Sequence, residues 1–471
     1  MFRFFSPSNI RFLLTDIRLW IAVFFLVRLI GITNPPLEAG HNWRQTLTCM
    51  VARNFVESGP DLLHPTIDMA GNDTGIIGSE FPFFNFLIYG VAEVFGYDHW
   101  YGRLINLVVT SIGIYFFFLM IAKITDRRTA FAASMVLLAS LWFCFARRIM
   151  PDTFSMSLVI IGTYYGLLFL TAGRNLYLLF CFVFLTLGTL CKIPNLYVFA
   201  AILLVPFIRE IPLNRKLVLI AIVGIAAVIT GWWYFYWVPY LVRTFHFELF
   251  FPKSLTEGFR EILQYLPELA EKFYFGALHS FLAFGAVVAG IFFLIRNGNR
   301  NLKLAILLFS LAFCGFILKT GFVFPTHSYY ILPFIPVMAL LAGIAIAKLK
   351  PVWSYVVLGL ICIEGVANQQ HDLFLRQSEC YKLNLEKIVA EHIPENELIV
   401  INGGDSPQEI YFAHRKGWTI DQKLPSPESI DSLSNLGAPF LVVNRRYDPQ
   451  PVTAYKQLFQ NADYTIYQLR P

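Results

Sequence analysis

Long apolar runs separated by short polar connections dominate the first 367 residues. Runs able to cross about 30 Å of hydrocarbon fall near 18–33, 101–122, 129–146, 153–172, 176–191, 194–208, 217–239, 277–295, 303–319, 328–347 and 352–367. This pattern predicts eleven transmembrane helices. The runs at 176–191 and 194–208 are short and part at Lys192 and Pro194, so they read as two helices with a tight turn or as one kinked helix. Segment 81–96 is apolar but short, and Glu93 interrupts it, which predicts an interfacial or re-entrant helix. Phe259, Ile262, Leu263 and Leu266 recur at helical spacing with Arg260, Glu261 and Gln264 opposite, the mark of a helix lying on the membrane. From Tyr381 the pattern changes to short helices alternating with strands such as LIVING, FLVVN and YTIYQL, which predicts a small α/β domain.

Composition sharpens this picture. The chain of 471 residues is 56% hydrophobic, 17% aromatic and only 14% charged, against about a quarter charged in soluble domains. One core cannot hide so much apolar surface, so lipid must be part of the solvent. The expected fold is therefore mainly α: a polytopic helical bundle over 1–367, with external loops 34–100 and 240–276, and a soluble external α/β domain over 368–471.

Charge placement sets the orientation. Arg3, Arg11 and Arg18 precede the first run, and alternate connections carry Lys123, Arg127 and Arg128; Arg174; Arg209, Arg215 and Lys216; Arg296, Arg300 and Lys303; Lys348 and Lys350. Basic loops face the cytoplasm, so the N-terminus is expected inside and the tail outside a bacterial inner membrane. The first run ends in bulky residues and Pro-Pro rather than a cleavage site, and reads as a retained helix. Basic residues form no stripe, so nucleic acid is not expected as a partner. The seven Cys lack metal-ligand spacing; Cys49 and Cys380 fall in loops, where a pairing stays open.

Charge at membrane depth is costly and asks for a reason. Arg147 and Arg148 end the third run with Asp152 just after, Lys192 ends the fifth, and Lys319 the ninth. Snorkelling explains any one of them. Together, on the outer side, they suggest a site for an anion such as a lipid phosphate. The first outer loop adds Glu38, His41, Trp43, Arg44 and Gln45 within eight residues, and later Asp61, Asp68, Asp73 and Glu80. Glu80 precedes Phe81-Pro82 and an apolar segment, which sets its carboxylate at the interface.

These residues carry a resemblance. HNWRQ (His41–Gln45), ARNF (Ala52–Phe55), EFP (Glu80–Pro82), GRLIN (Gly102–Asn106), RRIMPD (Arg147–Asp152), LCKIP (Leu190–Pro194) and HSYYILPFIP (His327–Pro336) follow in order across the apolar part. The chain resembles the family-39-like membrane glycosyltransferases with the GT-C fold, relatives of protein O-mannosyltransferases and lipid A aminoarabinose transferases. The resemblance implies transfer of a hexose or pentose from a polyprenyl-phosphate carrier to a glycan, lipid or protein acceptor on the external face, with inversion. It implies that Lys192, Arg148 and Arg147 lie near the carrier phosphate, that Tyr329 and Tyr330 contact the carrier, and that Arg44, Gln45 and His327 line the substrate site. Many relatives carry an Asp-Glu pair at the start of the first loop, the Asp as proposed base; here Glu38 and His41 stand instead. His41, Glu80 and Asp152 are the expected polar centre, with Glu38 in reserve. In aminoarabinose transferases the Glu of an E-x-P motif can bind a divalent metal, which makes Glu80 the metal-ligand candidate, although the Lys that follows it there is replaced by Phe81.

Two other classes use the same features. A transporter or flippase for a lipid-linked or anionic substrate would exploit the basic mouths, but calls for internal repeats and helices broken at the midplane. An enzymatically silent assembly subunit would share the fold without transfer.

Overall fold

The computed structural model describes residues 14–38, 40–247 and 253–470. Arg3, Arg11 and part of the second outer loop lie outside the described residues. The chain divides into two compact units: one comprises the residues up to Ile32, Gly102–Tyr236 and Phe250–Leu373, the other Thr33–Tyr101, Trp237–Leu249 and Phe374–Pro471.

The architecture is mainly helical with a small C-terminal sheet, as the apolar pattern predicts. Among the described residues six helices are long and apolar enough to cross a membrane: Tyr101–Ile124, Pro151–Ala172, Leu213–Phe245, Arg300–Thr320, Ser328–Ile346 and Pro351–Leu373. A seventh is counted if Leu266–Gly276 and Phe281–Asn297, bent by 95°, form one span. The expected count of eleven is not confirmed, because several apolar runs form shorter elements: Ile17–Arg28, Arg127–Ala139 and Asn175–Cys191. The run at 129–146 breaks at Ser140, whose extended backbone ends one helix while its hydroxyl accepts from Trp142 N to start the next, Leu141–Phe145. The run at 194–208 becomes a 3₁₀ helix, Ile193–Phe207, in which Pro194 sets the first turn. At about 2.0 Å per residue such a helix reaches further per residue than an α-helix.

Small residues let these helices approach. A Cβ on Gly188 would stand 2.7 Å from the Ser155 carbonyl, so glycine brings Asn175–Cys191 against Pro151–Ala172. This is the packing expected where lipid supplies no hydrophobic drive between helices. Phe83–Phe95 is the expected short apolar helix, and Leu255–Gln264 the expected amphipathic one, with Phe259 and Leu263 exposed.

In the second unit the tail forms a five-stranded sheet of β1 (Ile399–Ile401), β2 (Gly417–Thr419), β3 (Phe440–Asn444), β4 (Lys456–Gln460) and β5 (Tyr464–Gln468), ordered β2-β1-β3-β5-β4. β1 runs parallel to β2 and β3; β5 runs antiparallel to β3 and β4. β2 and β4 are additions to the strands read from the sequence.

Residues of the first outer loop belong to the same unit. Gly71 N donates to Gly417 O at 2.8 Å and Gly417 N to Asp68 O at 3.0 Å. Arg53, buried on the Asn42–Ser58 helix, pairs with Asp68 at 2.9 Å, donates to Tyr411 O at 3.0 Å and lies 4.4 Å from the Tyr411 ring centroid. His414 bridges two carboxylates, with Nδ1 2.7 Å from Glu386 and Nε2 2.6 Å from Glu57. No disulfide joins Cys49 and Cys380.

Candidate active site

In the first unit the polar residues gather at one end of the bundle. The turn between Leu141–Phe145 and Pro151–Ala172 carries Arg147 and Arg148. Its backbone carbonyls face inward and need donors, since an unsatisfied buried carbonyl is costly. Asn106, fully buried on Tyr101–Ile124, supplies them: its Nδ2 donates to Phe145 O, Arg148 O and Met150 O at 3.0, 2.9 and 3.1 Å. Its Oδ1 accepts from Thr110 and Thr153, each at 3.0 Å. Arg103, one turn earlier, donates to Arg147 O at 3.3 Å. The GRLIN segment thus holds the RRIMPD turn.

Asp152 lies in the first turn of Pro151–Ala172, and Lys192 is the C-cap of Asn175–Cys191. Each charge sits at the helix end whose dipole favours it. They meet as a buried ion pair, Nζ to Oδ1 3.3 Å, with side chains 7% and 6% exposed. Lys192 Nζ also lies 5.4 Å from the Tyr329 ring centroid, a cation–π contact. The rings of Tyr329 and Tyr330 lie 4.5 Å apart between centroids, tilted by 33°, in the 3₁₀ turn Ser328–Phe334. The half-buried His327 ring lies 5.6 Å from Tyr329, with Nδ1 3.2 Å from Val323 O. At the opposite end Arg174 caps Asn175–Cys191 and Arg215, on Leu213–Trp232, donates to Thr171 O at 2.8 Å; the 22 residues of Pro151–Ala172 separate the two ends by about 33 Å.

Asp372, in the 3₁₀ turn Gln370–Leu373 after the last long helix, completes this end. Its carboxylate lies 3.3 Å from Arg148 Nη2 and accepts from Cys144 Sγ at 3.3 Å. Its carbonyl accepts from Arg147 Nη1 at 3.4 Å, while Arg147 Nη2 donates to Gly31 O at 2.8 Å. Arg147 therefore spends donors on backbone carbonyls that follow two helices, Ile17–Arg28 and Pro351–Gln369, whereas Arg148 faces a carboxylate. Asn106 and Asp372 were missed as site residues in the sequence. An Asn inside an apolar run was the available signal for the first; nothing marks Asp372 among the other acids of the tail.

The candidates of the first outer loop lie in the second unit. Arg44 and Glu80 form an ion pair, each partly buried. His41 caps Asn42–Ser58 from a left-handed backbone (φ 54°), a costly conformation for a residue with a Cβ. Gln45 is buried one turn on, its N–H bonded to His41 O at 3.1 Å. Glu38 is buried, accepts from Asn34 Nδ2 at 3.1 Å and bridges to Leu375 through its backbone. Among the described residues no three His, Cys, Asp or Glu side chains gather to hold a metal ion. The guanidinium on Glu80 suits an ion pair better than a divalent cation, so no chemical step is assigned to a metal.

The fold has counterparts among known proteins. A model of the dolichyl-phosphate-mannose-protein mannosyltransferases matches residues 79–235, about a third of the chain. The structure is similar to ArnT from Cupriavidus metallidurans bound to undecaprenyl phosphate, with TM-score 0.65 and 17% identity over 96% of this chain and 98% of that one. This is the GT-C fold. The Archaeoglobus fulgidus oligosaccharyltransferase tethered to an acceptor peptide shares it, with TM-score 0.58 and 11% identity over 90% of this chain and 69% of that one. So does Archaeoglobus fulgidus AglB in complex with an inhibitory peptide and a dolichol-phosphate, with TM-score 0.55, 12% identity and the same coverage. No curated sequence matches the chain. At these identities the GT-C likeness fixes the fold and leaves the chemistry to this chain's own residues. Five of the candidates, Glu80, Arg147, Arg148, Asp152 and Lys192, fall inside the segment matched by the mannosyltransferase model.

Proposed function

We propose that this GT-C protein is an integral-membrane glycosyltransferase that moves a sugar from a polyprenyl-phosphate carrier to an acceptor on the external face of the membrane. The observation that carries the reading is the buried Lys192–Asp152 pair beneath Tyr329, at the end of the bundle opposite the basic loops. The fold adds weight, since structures similar to it include ArnT bound to undecaprenyl phosphate and AglB in complex with a dolichol-phosphate.

In the transfer, an acceptor O–H attacks the anomeric carbon of the donor. The new C–O bond forms as the bond to the carrier phosphate breaks, and the carrier leaves as polyprenyl phosphate. Charge develops on the departing phosphate oxygen, and fixed cations there are the strongest lever available. Lys192 and Arg148 take that role; Asp152 holds the Lys192 ammonium at one position, and Arg147 braces the turn. Tyr329 and Tyr330, with His327, bear on the carrier. The acceptor proton needs a base within hydrogen-bond reach, and Glu80 and His41 are the proposed groups, with Glu38 in reserve and Arg44 and Gln45 on the substrate side. A single displacement of this kind inverts the anomeric centre.

The test incubates the purified protein with labelled polyprenyl-phosphate hexoses and pentoses and candidate acceptors, lipid A, glycan and peptide. Transfer with release of polyprenyl phosphate supports the reading. Accumulation of lipid-linked sugar across a vesicle bilayer with no new glycosidic bond would instead establish transport.

A further inference from the structure

At the end of the helical unit that carries the basic loops there is a cavity of about 260 Å³, lined among others by Thr15, Arg128, Phe131, Ser354, Tyr355 and Leu358. Its volume is below the 300–1,000 Å³ of sites that enclose a whole small molecule. It has room for a phosphate ester, and its walls combine one guanidinium and three hydroxyls with apolar rings and methyls.

Arg128 is fixed there. One of its Nη atoms donates to Leu349 O and to Ser354 Oγ, the latter at 3.3 Å, so the guanidinium is held at the cavity wall. The surrounding charge is one-sided. Arg127 precedes it, and Lys348 and Lys350 flank the turn between Ile335–Ile346 and Pro351–Gln369, whose residues Ala347 and Pro351 also line the cavity. The nearby acids are committed locally. Asp16 pairs with Arg18 at 2.5 Å, and Asp126 caps Arg127–Ala139, accepting from Arg128 N at 2.9 Å and Thr129 Oγ1 at 2.7 Å; Lys348 acts on Asp126 from across the turn. Arg128 thus lines a largely apolar cavity, and Arg127, Lys348 and Lys350 adjoin its lining residues in the chain, at the level where the loop charges place the cytoplasmic leaflet. Basic pockets between helix ends at that level take anionic lipid headgroups.

We propose that this cavity binds the phosphate of an anionic phospholipid of the inner leaflet, with Arg128 and Tyr355 as its ligands, Ser354 holding Arg128 in place while donating to Ile346 O at 2.8 Å, and Lys348 and Lys350 as the flanking charge. The site is separate from the polar end assigned to transfer and does not depend on that assignment. It anchors Arg127–Ala139 to Pro351–Gln369 through a molecule of the membrane itself.

The test is native mass spectrometry of the full-length protein released from detergent, with phosphatidylglycerol, phosphatidylcholine or inorganic phosphate added singly. The wild type is expected to retain phosphatidylglycerol about tenfold over phosphatidylcholine, about fivefold from the one well-placed cation Arg128 and about twofold from the flanking lysines, and to retain no inorganic phosphate. Arg128→Gln is expected to bring the ratio down to about two. The double variant Lys348→Gln/Lys350→Gln keeps the Arg128 hydrogen bonds and is expected to lower the ratio about twofold, which keeps the proposal testable if Arg128→Gln does not fold. An unchanged ratio in the variants, equal retention of phosphatidylcholine by the wild type, or inorganic phosphate held as well as the lipid would each overturn it.

Discussion

Replacing Lys192 by Met separates what this side chain does for the fold from what it does for catalysis. The ammonium faces Asp152 at 3.3 Å with both side chains nearly excluded from water. Removing one partner of such a pair strands a buried carboxylate, at a cost of about 3–5 kcal/mol. Replacing both, as Lys192→Met/Asp152→Asn, removes the charge with its counter-charge and is expected to cost less than about 1.5 kcal/mol, since volume is nearly conserved. Thermal unfolding in detergent should therefore show a large loss for the single variant and recovery in the double. Catalysis should behave differently. A fixed cation on a departing phosphate is worth about 10²–10³ in rate, and the double variant does not restore it. Transfer is expected to fall by that factor in both variants at saturating donor. Recovery of stability and rate together would mean that Lys192 only balances Asp152; a wild-type rate in the single variant would remove it from the site altogether.

Three further outcomes follow from the geometry. Asn106→Ala removes the donor shared by three carbonyls of the Arg147–Arg148 turn; unfolding should show a loss of about 3 kcal/mol or more, and a loss below 1 would mean the turn holds without it. Glu80→Gln leaves a partly exposed pair with Arg44, so stability should change by less than about 1 kcal/mol, while transfer should drop at least about 100-fold if the carboxylate is the base; equal activity would pass that role to His41. The hydrogen bonds to Glu386 and Glu57 raise His414 from its usual 6.5 to about 9. Because the folded value lies above the unfolded one, this contribution is complete below pH 6.5 and fades as pH rises through about 9. The melting temperature of the wild type relative to His414→Gln should fall over that window, and a constant difference would contradict the bridge.

Much of the fold was legible because hydrocarbon imposes composition over long stretches. The runs at 101–122, 153–172 and 352–367 correspond to Tyr101–Ile124, Pro151–Ala172 and Pro351–Gln369. Breaks within runs were harder to see. Ser140 ends a helix by a local cap in the middle of an apolar stretch, and Ile193–Phe207 keeps its apolar pattern while winding as a 3₁₀ helix. Hydropathy does not register either change. The tail strands β1, β3 and β5 were visible as β-branched and aromatic runs. β2 is only Gly417–Thr419, and β4 carries the polar sequence KQLFQ of an exposed edge. Charges at span ends singled out Arg147, Arg148, Asp152 and Lys192, and the structure pairs Lys192 with Asp152. Their partners were not readable, since the Arg148–Asp372 pair joins residues more than two hundred positions apart. The same distance in sequence hides the bonds that tie Asp68 and Gly71 to Gly417 in the second unit.

The central claim is that a carrier phosphate sits at the end of the bundle defined by Lys192, Asp152 and Tyr329. Photo-crosslinking with a polyprenyl phosphate that bears its reactive group beside the phosphate tests it most directly. Labelled peptides should map to the segments around Lys192 and His327–Tyr330, and excess undecaprenyl phosphate should suppress the labelling. Labelling confined to the Arg174–Arg215 end, or labelling that undecaprenyl phosphate does not suppress, would contradict the account.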